Sequence, residues 1–184
     1  MRARAFWTIQ LAGVALAALL VASASARAAD DITVTMYKAT PSGQGDAVGT
    51  VTIAPAADGA HFVLALRDLP PGPHGFHVHQ NDNCGPTVTN GVRIPAGAAG
   101  GHWDPASTGK HEGPNGAGHL GDLPLLEVKA DGTATQELTA PHIKNVNDLR
   151  GRALVIHVGG DNYSDQPTAL GGGGLRLACG SIPK

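Results

Sequence analysis

Short segments in which apolar and polar residues alternate recur along the chain from residue 33 onward. Alternation with a period of two predicts β-strands with one buried face. The Asp131-Gly132 pair between two such segments favours a hairpin turn. No long amphipathic helix is predicted, because 26 glycines and 13 prolines interrupt each candidate. The predicted strands cover residues 33–38, 48–53, 61–66, 75–79, 125–129, 133–138, 153–157 and 175–179.

This pattern predicts an all-β sandwich or barrel. A length of 184 residues indicates one domain, and no internal repeat or interdomain linker divides the chain. Residues 81–123 and 159–174 have little strand character and are rich in glycine. Loops of this length in a small domain are usually functional, so we expect the active residues there.

The first residues have the features of a secretory signal peptide. Arg2 and Arg4 precede an apolar run at residues 11–21, and an A-x-A cleavage motif stands at residues 26–28. We therefore predict a signal peptide over residues 1–28 and a mature domain over residues 29–184, with cleavage after Ala24 or Ala26 as alternatives. The apolar run is short for a membrane span, which disfavours a retained anchor, the other interpretation of this segment.

Removal of residues 1–28 leaves ten Lys and Arg against fifteen Asp and Glu, a net charge of −5. An acidic domain is a poor candidate for binding nucleic acid, and an anionic substrate would need local positive charge. In an oxidising compartment, Cys84 and Cys179 are expected to form a disulfide. Two free buried thiols or two metal ligands are the alternatives.

Histidines supply the candidate chemistry. His77 and His79 lie two residues apart on a predicted strand, so their side chains point to the same side. His157 ends an apolar strand, where a buried imidazole needs a partner. His102, His111, His119 and Asp122 lie in the first long loop and are of types that suit zinc. Six histidines and one aspartate are many ligands for one ion, and they predict two.

Five motifs occur in the order found in copper-zinc superoxide dismutases, and the chain resembles the exported bacterial branch of that family. The resemblance covers essentially the whole mature domain and implies an eight-stranded Greek-key β-barrel with two long functional loops. The motifs are GFHVH at residues 75–79, GHWDP at 101–105, GHLGD at 118–122, HVGGDN at 157–162 and GGLRLACG at 173–180.

The resemblance also implies roles for individual residues. His102 corresponds to the imidazolate that bridges copper and zinc, and we expect it to carry a proton to the peroxide product. Asp161 corresponds to a carboxylate that links His77 to His111, and Arg176 to the arginine at the mouth of the copper channel. Cys84 and Cys179 match the family's disulfide. The implied copper ligands are His77, His79, His102 and His157, and the implied zinc ligands are His102, His111, His119 and Asp122.

The function that follows is dismutation of superoxide to oxygen and hydrogen peroxide in the periplasm, with one copper and one zinc ion per subunit. The competing hypothesis is a copper or zinc carrier without turnover. No nucleic acid partner and no stable membrane insertion after cleavage are expected, and a homodimer remains open. His61, His74 and His142 are expected to lie outside the metal site, and Trp103 to pack beside His102. Residues 83–93 hold one positive charge, which weakens the expectation of a second steering element there.

Overall fold

The computed structural model describes residues 31–184, so the predicted signal peptide and the first residues of the mature domain lie outside the described part. Across residues 31–184, no helix combines the length and hydropathy that crossing a membrane requires. The strands are Ile32–Thr40 (β1), Gly43–Ala56 (β2), Gly59–Leu66 (β3), Gly72–His74 (β4), Phe76–His79 (β5), Thr87–Thr89 (β6), Val92–Ile94 (β7), Leu126–Val128 (β8), Glu137–Ala140 (β9), Ala153–His157 (β10) and Arg176–Ser181 (β11).

Seven strands form one antiparallel sheet in the order β5-β10-β11-β1-β2-β3-β9. Strand β4 pairs with β8, which leads into β9 through a turn closed by the Lys129 N–H donating to the Thr133 carbonyl at 2.8 Å. Because β4 and β5 are one strand bent at Gly75, the sheet curls into a ring of eight strands. The all-β barrel prediction is confirmed.

The barrel interior is filled by the alternating apolar residues that predicted the strands. In β1, Ile32, Val34 and Met36 are buried while the threonines between them are exposed. Phe62 of β3 and Phe76 of β5 meet edge to face across the core, with ring centroids 6.0 Å apart. Burying an aromatic side chain of this size contributes roughly 2–3 kcal/mol.

Strand β10 is buried along its whole length because both of its faces are covered. Leu154 and Ile156 pack into the barrel core. Ala153 and Val155 point outward, where Cys179 and residues 96–99 cover them. The outer wall of the barrel at β5 and β10 is therefore a second buried region, and the two long loops lie over it.

The first long loop contains structure that the strand pattern did not predict. Residues 87–94 form a hairpin of β6 and β7, which turns at Asn90 and Gly91, both with positive φ. The same loop contains a short 3₁₀ helix at Gly97–Ala99, and two more such helices lie outside it, at Val146–Leu149 and Leu170–Gly172. The hairpin strands are three residues long, too short for an alternation to be read from the sequence.

Candidate metal centre

Strand β5 presents two histidines to the outer wall of the barrel. Phe76 and Val78 point into the core, so His77 and His79 point outward, and each is at most 1% exposed. Strand β10 lies beside β5, with Val155 opposite His77, and ends at His157. Adjacent strands thus bring the three histidines together. The alternation in β5 predicted that His77 and His79 share a side, and the family resemblance implied that His157 joins them.

The first long loop lies along β5 in a nearly strand-like way. The Trp103 N–H donates to the Val78 carbonyl at 2.8 Å, and the Val78 N–H donates to the Gly121 carbonyl at 2.9 Å. These backbone bonds place His102 opposite His79 and Asp122 opposite His77. The loop residues of the predicted site are therefore held in place by the sheet itself.

Four buried histidines form the first candidate metal group: His77, His79, His102 and His157, whose ligand atoms lie within 4.8 Å of one another. The Nδ1 of His79 is 2.9 Å from the Gly100 carbonyl, and the Nδ1 of His157 is 3.1 Å from the Gly174 carbonyl. A carbonyl oxygen only accepts, so each Nδ1 must be the N–H donor. In both neutral rings the lone pair is therefore on Nε2.

Those two Nε2 atoms are 3.3 Å apart. Burial, together with neighbouring histidines, lowers the pKa of His79 and of His157 well below the ordinary value, so neither ring gains a second proton readily. Two lone pairs at this distance repel each other unless a cation lies between them or beside them. The geometry therefore fits a metal ion bound by imidazole nitrogens, a donor set that suits copper.

A second group shares two members with the first: His77, His102, His111 and Asp122 also lie within 4.8 Å of one another. His119 is not in this group, although its Nδ1 is 3.4 Å from Asp122 Oδ1. Four buried ring nitrogens in and around the two groups make no hydrogen bond of good geometry, although His111 Nδ1 lies 2.9 Å from Asp122 Oδ2: His77 Nδ1, His102 Nε2, His111 Nδ1 and His119 Nδ1. A mixture of imidazole nitrogens and one carboxylate suits zinc.

His102 lies between the two groups. Its Nδ1 is 2.9 Å from Asp122 Oδ1, and its Nε2 is the unpartnered nitrogen on the other side of the ring. The ring also packs against His77, with centroids 3.9 Å apart. Burial and the nearby His77 lower the pKa of His102 to about 4. The ring is therefore neutral at ordinary pH, with one N–H and one nitrogen lone pair, and it could bind a cation on each side only by losing the remaining N–H proton as well.

The Asp161 carboxylate links a histidine of the first group, His77, to a histidine of the second group, His111. Its Oδ2 accepts from His77 Nε2 at 2.8 Å, and its Oδ1 accepts from His111 Nε2 at 2.7 Å. Burial opposes protonation of His111, but hydrogen bonds and charge from Asp122 and Asp161 raise its pKa to about 9. Gly171, with a φ of 69°, allows the chain to pass close to this carboxylate, because a Cβ there would overlap Asp161.

Arg176 lines a cavity of about 220 Å³ that reaches three of the histidines. The guanidinium donates to the Ala96 carbonyl at 3.1 Å and to the Gly100 carbonyl at 2.6 Å. It is half-buried, and partial loss of solvation lowers its pKa while leaving it a cation. The cavity is lined by His79, Ile94, Gly101, His102, His157, Leu170, Gly174, Leu175 and Arg176.

The three remaining histidines and Trp103 lie outside the two groups. His74 contacts the carbonyls of Pro70 and His157 through its two ring nitrogens, and His61 is paired with carboxylates on the far side of the barrel. His142 is exposed. Trp103 is buried beside His102 and carries the Arg152 guanidinium 4.1 Å above its ring.

Cys84 and Cys179 form a disulfide, with their Cα atoms 5.8 Å apart. The predicted pairing is confirmed.

One residue near the site was not singled out by the sequence. Asp165 accepts a hydrogen bond from the backbone N–H of His111 at 2.9 Å. Its only sequence signal was its place four residues after Asp161, and many loop aspartates stand near a functional residue. A carboxylate that binds backbone rather than side chains leaves no pairing pattern in the sequence.

Known proteins share both the sequence and the fold. The family model for copper/zinc superoxide dismutase (SODC) matches residues 47–182. A superoxide dismutase [Cu-Zn] of Brucella abortus is 50% identical over 167 residues, which covers 91% of this chain and 96% of the relative. A solved Cu/Zn superoxide dismutase from Brucella abortus matches with a TM-score of 0.82 and 53% identity, over 83% of this chain and 99% of that one.

A monomeric copper, zinc superoxide dismutase from Salmonella enterica matches with a TM-score of 0.75 and 53% identity, again over 83% of this chain and 99% of that one. The family match covers most of the chain, and the two groups of buried ligands lie within it. The chain therefore belongs to the copper/zinc superoxide dismutase family.

Proposed function

We propose a division of roles among the residues of the metal centre for the reaction that this chain catalyses, the conversion of superoxide to oxygen and hydrogen peroxide. Copper and zinc are the cofactors. The observation that carries the proposal is the pair of Nε2 atoms on His79 and His157, which face each other at 3.3 Å while each ring's Nδ1 faces a backbone carbonyl. Such a pair needs a cation, and the other unpartnered nitrogens surround the same place.

His77, His79, His102 and His157 are the proposed copper ligands, and His102, His111, His119 and Asp122 the proposed zinc ligands. His77 belongs to both groups by distance, but its Nε2 is engaged by Asp161, so only Nδ1 remains for one ion. His119 takes the place of His77 on the zinc side. Support for this comes from its buried, unpartnered Nδ1 next to the Asp122 carboxylate.

When bound, copper supplies the one-electron redox chemistry, and zinc, whose oxidation state does not change, supplies charge and structural support. One superoxide is oxidised to oxygen and a second is reduced, and the reduced one needs two protons to become hydrogen peroxide. His102 carries one of these protons on Nε2, which is buried and has no competing partner. The other proton comes from solvent at the cavity mouth.

Arg176 attracts and orients the substrate. Superoxide is a small anion, and the mature domain has a net charge of −5 that repels anions in general. The guanidinium is fixed by the carbonyls of Ala96 and Gly100, so its charge is held beside the cavity that reaches His102. Both of its bonds go to uncharged carbonyls, and no carboxylate in residues 31–184 forms an ion pair with it.

Dismutase activity and metal content, measured on the same mature protein, test the proposal. We expect one copper and one zinc ion per chain and full activity only with copper present. His102→Ala should retain copper through the remaining three histidines but lose most of the activity. Protein that holds both metals and is inactive would contradict the enzyme assignment, and a fully active His102→Ala protein that retains copper would contradict the proton-carrying role.

A metal carrier without turnover is the second candidate. A carrier needs to release its ion, and an open or incomplete ligand set would serve that purpose. In residues 31–184 the ligands are nearly all fully buried, and Arg176 stands beside them at the cavity mouth. This arrangement favours catalysis over transfer, because a carrier has no use for a cation that attracts small anions.

Export to the periplasm is part of the proposal. The disulfide supports an oxidising compartment, and the sequence of residues 1–28 supports a cleaved signal peptide. Mass spectrometry of protein isolated from cells should find the mature start at Ala29, and recovery of intact residues 1–28 on the soluble protein would contradict it. Light scattering would assign the subunit number, for which the sequence allows a monomer or a homodimer.

A further inference from the structure

The second long loop folds back on itself above the metal centre. The Asn162 N–H donates to the Gly171 carbonyl at 3.1 Å, and the Gly171 N–H donates to the Ser164 carbonyl at 3.0 Å. Asp165 lies inside the compact segment that these two bonds close. No ion pair among residues 31–184 involves Asp165, so its carboxylate is free to bind backbone groups.

The two oxygens of Asp165 bind different loops. Oδ2 accepts from the His111 N–H at 2.9 Å, in the first long loop. Oδ1 accepts from the Leu170 N–H at 3.0 Å, in the second long loop. A carboxylate that accepts two N–H bonds has one oxygen for each, and neither can be lost without leaving a donor unpaired.

The peptide that Asp165 holds lies between two proposed zinc ligands. It joins Lys110 to His111, and its carbonyl oxygen accepts from the His119 N–H at 2.9 Å. One face of this peptide is thus fixed by Asp165 and the other by the backbone of His119. A shift of Asp165 would move the backbone of both histidines.

The second hydrogen bond of Asp165, from the Leu170 N–H, connects it to the cavity beside the four histidines of the first group. Leu170 lines the cavity that holds Arg176 and reaches His157. The Leu170 backbone has a φ of 57°, which is unfavourable for leucine, so its position depends on the contacts around it. The bond from its N–H to Asp165 is one such contact.

We propose that Asp165 is a positioning residue that joins the zinc ligands His111 and His119 to Leu170 at the mouth of the copper cavity. Through it, zinc occupancy sets the position of Leu170 and so the access of small anions to copper. This inference rests on the proposed assignment of the two metal sites. Asp161 makes a different connection, because its oxygens accept from the imidazole nitrogens of His77 and His111 and from the Tyr163 N–H, and not from the Leu170 N–H.

Two variants of the full mature protein test the inference. Asp165→Ala removes both acceptors, whereas Asp165→Asn keeps one acceptor oxygen and places an NH₂ group against the other N–H. Asp131→Asn is the matched control, because Asp131 also accepts a backbone N–H, from Thr133 at 3.0 Å, but lies in the turn between β8 and β9. Thermal unfolding of the metal-free proteins would show whether each variant folds.

Two quantities are measured: the rate at which a chelator removes zinc, and the affinity of azide for copper(II), followed by absorbance with and without zinc. In the wild type we expect azide affinity to change when zinc is removed. In Asp165→Ala, zinc should leave about tenfold faster, the effect of losing a hydrogen bond to a charged group. The response of azide affinity to zinc should then shrink to the part that passes through the shared ligand His102, with Asp165→Asn between this variant and the wild type.

A merely structural role for Asp165 would lower the unfolding temperature and leave the response of azide affinity to zinc intact, and that result would overturn the inference. Zinc release within twofold of the wild type in Asp165→Ala would overturn it as well, as would a wild type whose azide affinity ignores zinc. Failure of the wild type to take up both metals would instead overturn the proposed metal sites. Asp131→Asn should behave as the wild type in both measurements.

Discussion

At the scale of single residues, backbone carbonyls decide which ring nitrogen of His79 and of His157 can bind a metal. The Gly100 carbonyl takes the Nδ1 of His79, and the Gly174 carbonyl takes the Nδ1 of His157, so Nε2 is the free ligand atom in both. The Gly100 carbonyl also accepts from Arg176. One oxygen therefore orients His79, a proposed copper ligand, and Arg176, the proposed cation for the substrate, and this fixes their positions relative to each other.

Arg176→Ile removes the cation at the cavity mouth and should lower the rate with superoxide by about tenfold or more. The rate of the variant should also fall less steeply as salt is added, because screening acts on the attraction that the substitution removes. Stopped-flow measurement of superoxide decay at several ionic strengths checks both points, with copper content determined on the same samples.

Two further variants separate charge from geometry at Arg176. Arg176→Lys keeps the charge but cannot bind two carbonyls with a planar fork, so it should retain the salt dependence with a reduced rate. Arg67→Ile is the control, because Arg67 is an exposed cation away from the cavity. Equal rates and salt dependence in Arg176→Ile and the wild type would exclude attraction of superoxide by this side chain.

At the scale of the elements, how well a strand could be predicted depends on its length and on what covers it. Strand β10 has the bounds that its apolar run predicted, because it is buried on both faces. Strand β9 begins at Glu137, four residues later than predicted, because Thr133 closes a turn and before Glu137 only Ala134 bridges β3, at Leu66. The β6–β7 hairpin lies in a stretch read as loop, although its Asn90-Gly91 turn was a usable signal.

The candidate ligands could be proposed from the sequence because metal binding requires particular side chains, and these are visible in the sequence. The groups that orient these ligands could not be predicted from the sequence. The carbonyls that orient His79 and His157 belong to glycines, and backbone groups are the same at every position. The contact of Asp165 with the His111 N–H is of the same kind. What the sequence leaves open is therefore the part of the site that backbone contacts determine.

His61 pairs strand β3 with its neighbours. Its Nε2 is 2.8 Å from Asp58 Oδ1, and its Nδ1 contacts Glu137 of β9. The hydrogen bond to Asp58, with further help from Glu137, raises the pKa of His61 above the ordinary 6.5. A raised pKa in the folded state stabilises the fold below pH 6.5, and this contribution is lost as the pH rises through the folded pKa.

His61→Gln should therefore lower the free energy of unfolding more at about pH 5.5 than at about pH 9. At the higher pH the histidine is neutral in both the folded and the unfolded protein. Urea unfolding of the metal-free protein measures this difference without a contribution from metal binding, which itself depends on pH. His142→Gln is the control, because His142 is exposed and takes part in no ion pair within residues 31–184. A pH-independent effect of His61→Gln would contradict the pairing.

At the scale of the whole molecule, the barrel and its loops form one closed unit. The disulfide joins Cys84 in the first long loop to Cys179 in β11, across 95 residues of sequence. The Ala98 N–H donates to the Gly85 carbonyl at 3.0 Å, so the crosslink also fixes the turn that leads to Gly100. The disulfide should therefore act on the stability of the fold and on the copper side of the metal centre.

Loss of the disulfide should lower the free energy of unfolding of the metal-free protein by about 4–5 kcal/mol, because a closed loop of this length restricts the unfolded chain. Copper affinity should fall as well, since the Gly100 carbonyl orients His79 and Arg176. Cys84→Ala/Cys179→Ala removes the crosslink but also empties space at Cys179, which is 2% exposed. Reduced wild-type protein keeps both sulfurs and is the matched control. Reduced and oxidised wild-type proteins with equal copper affinity would show that the barrel alone holds Gly100 in place.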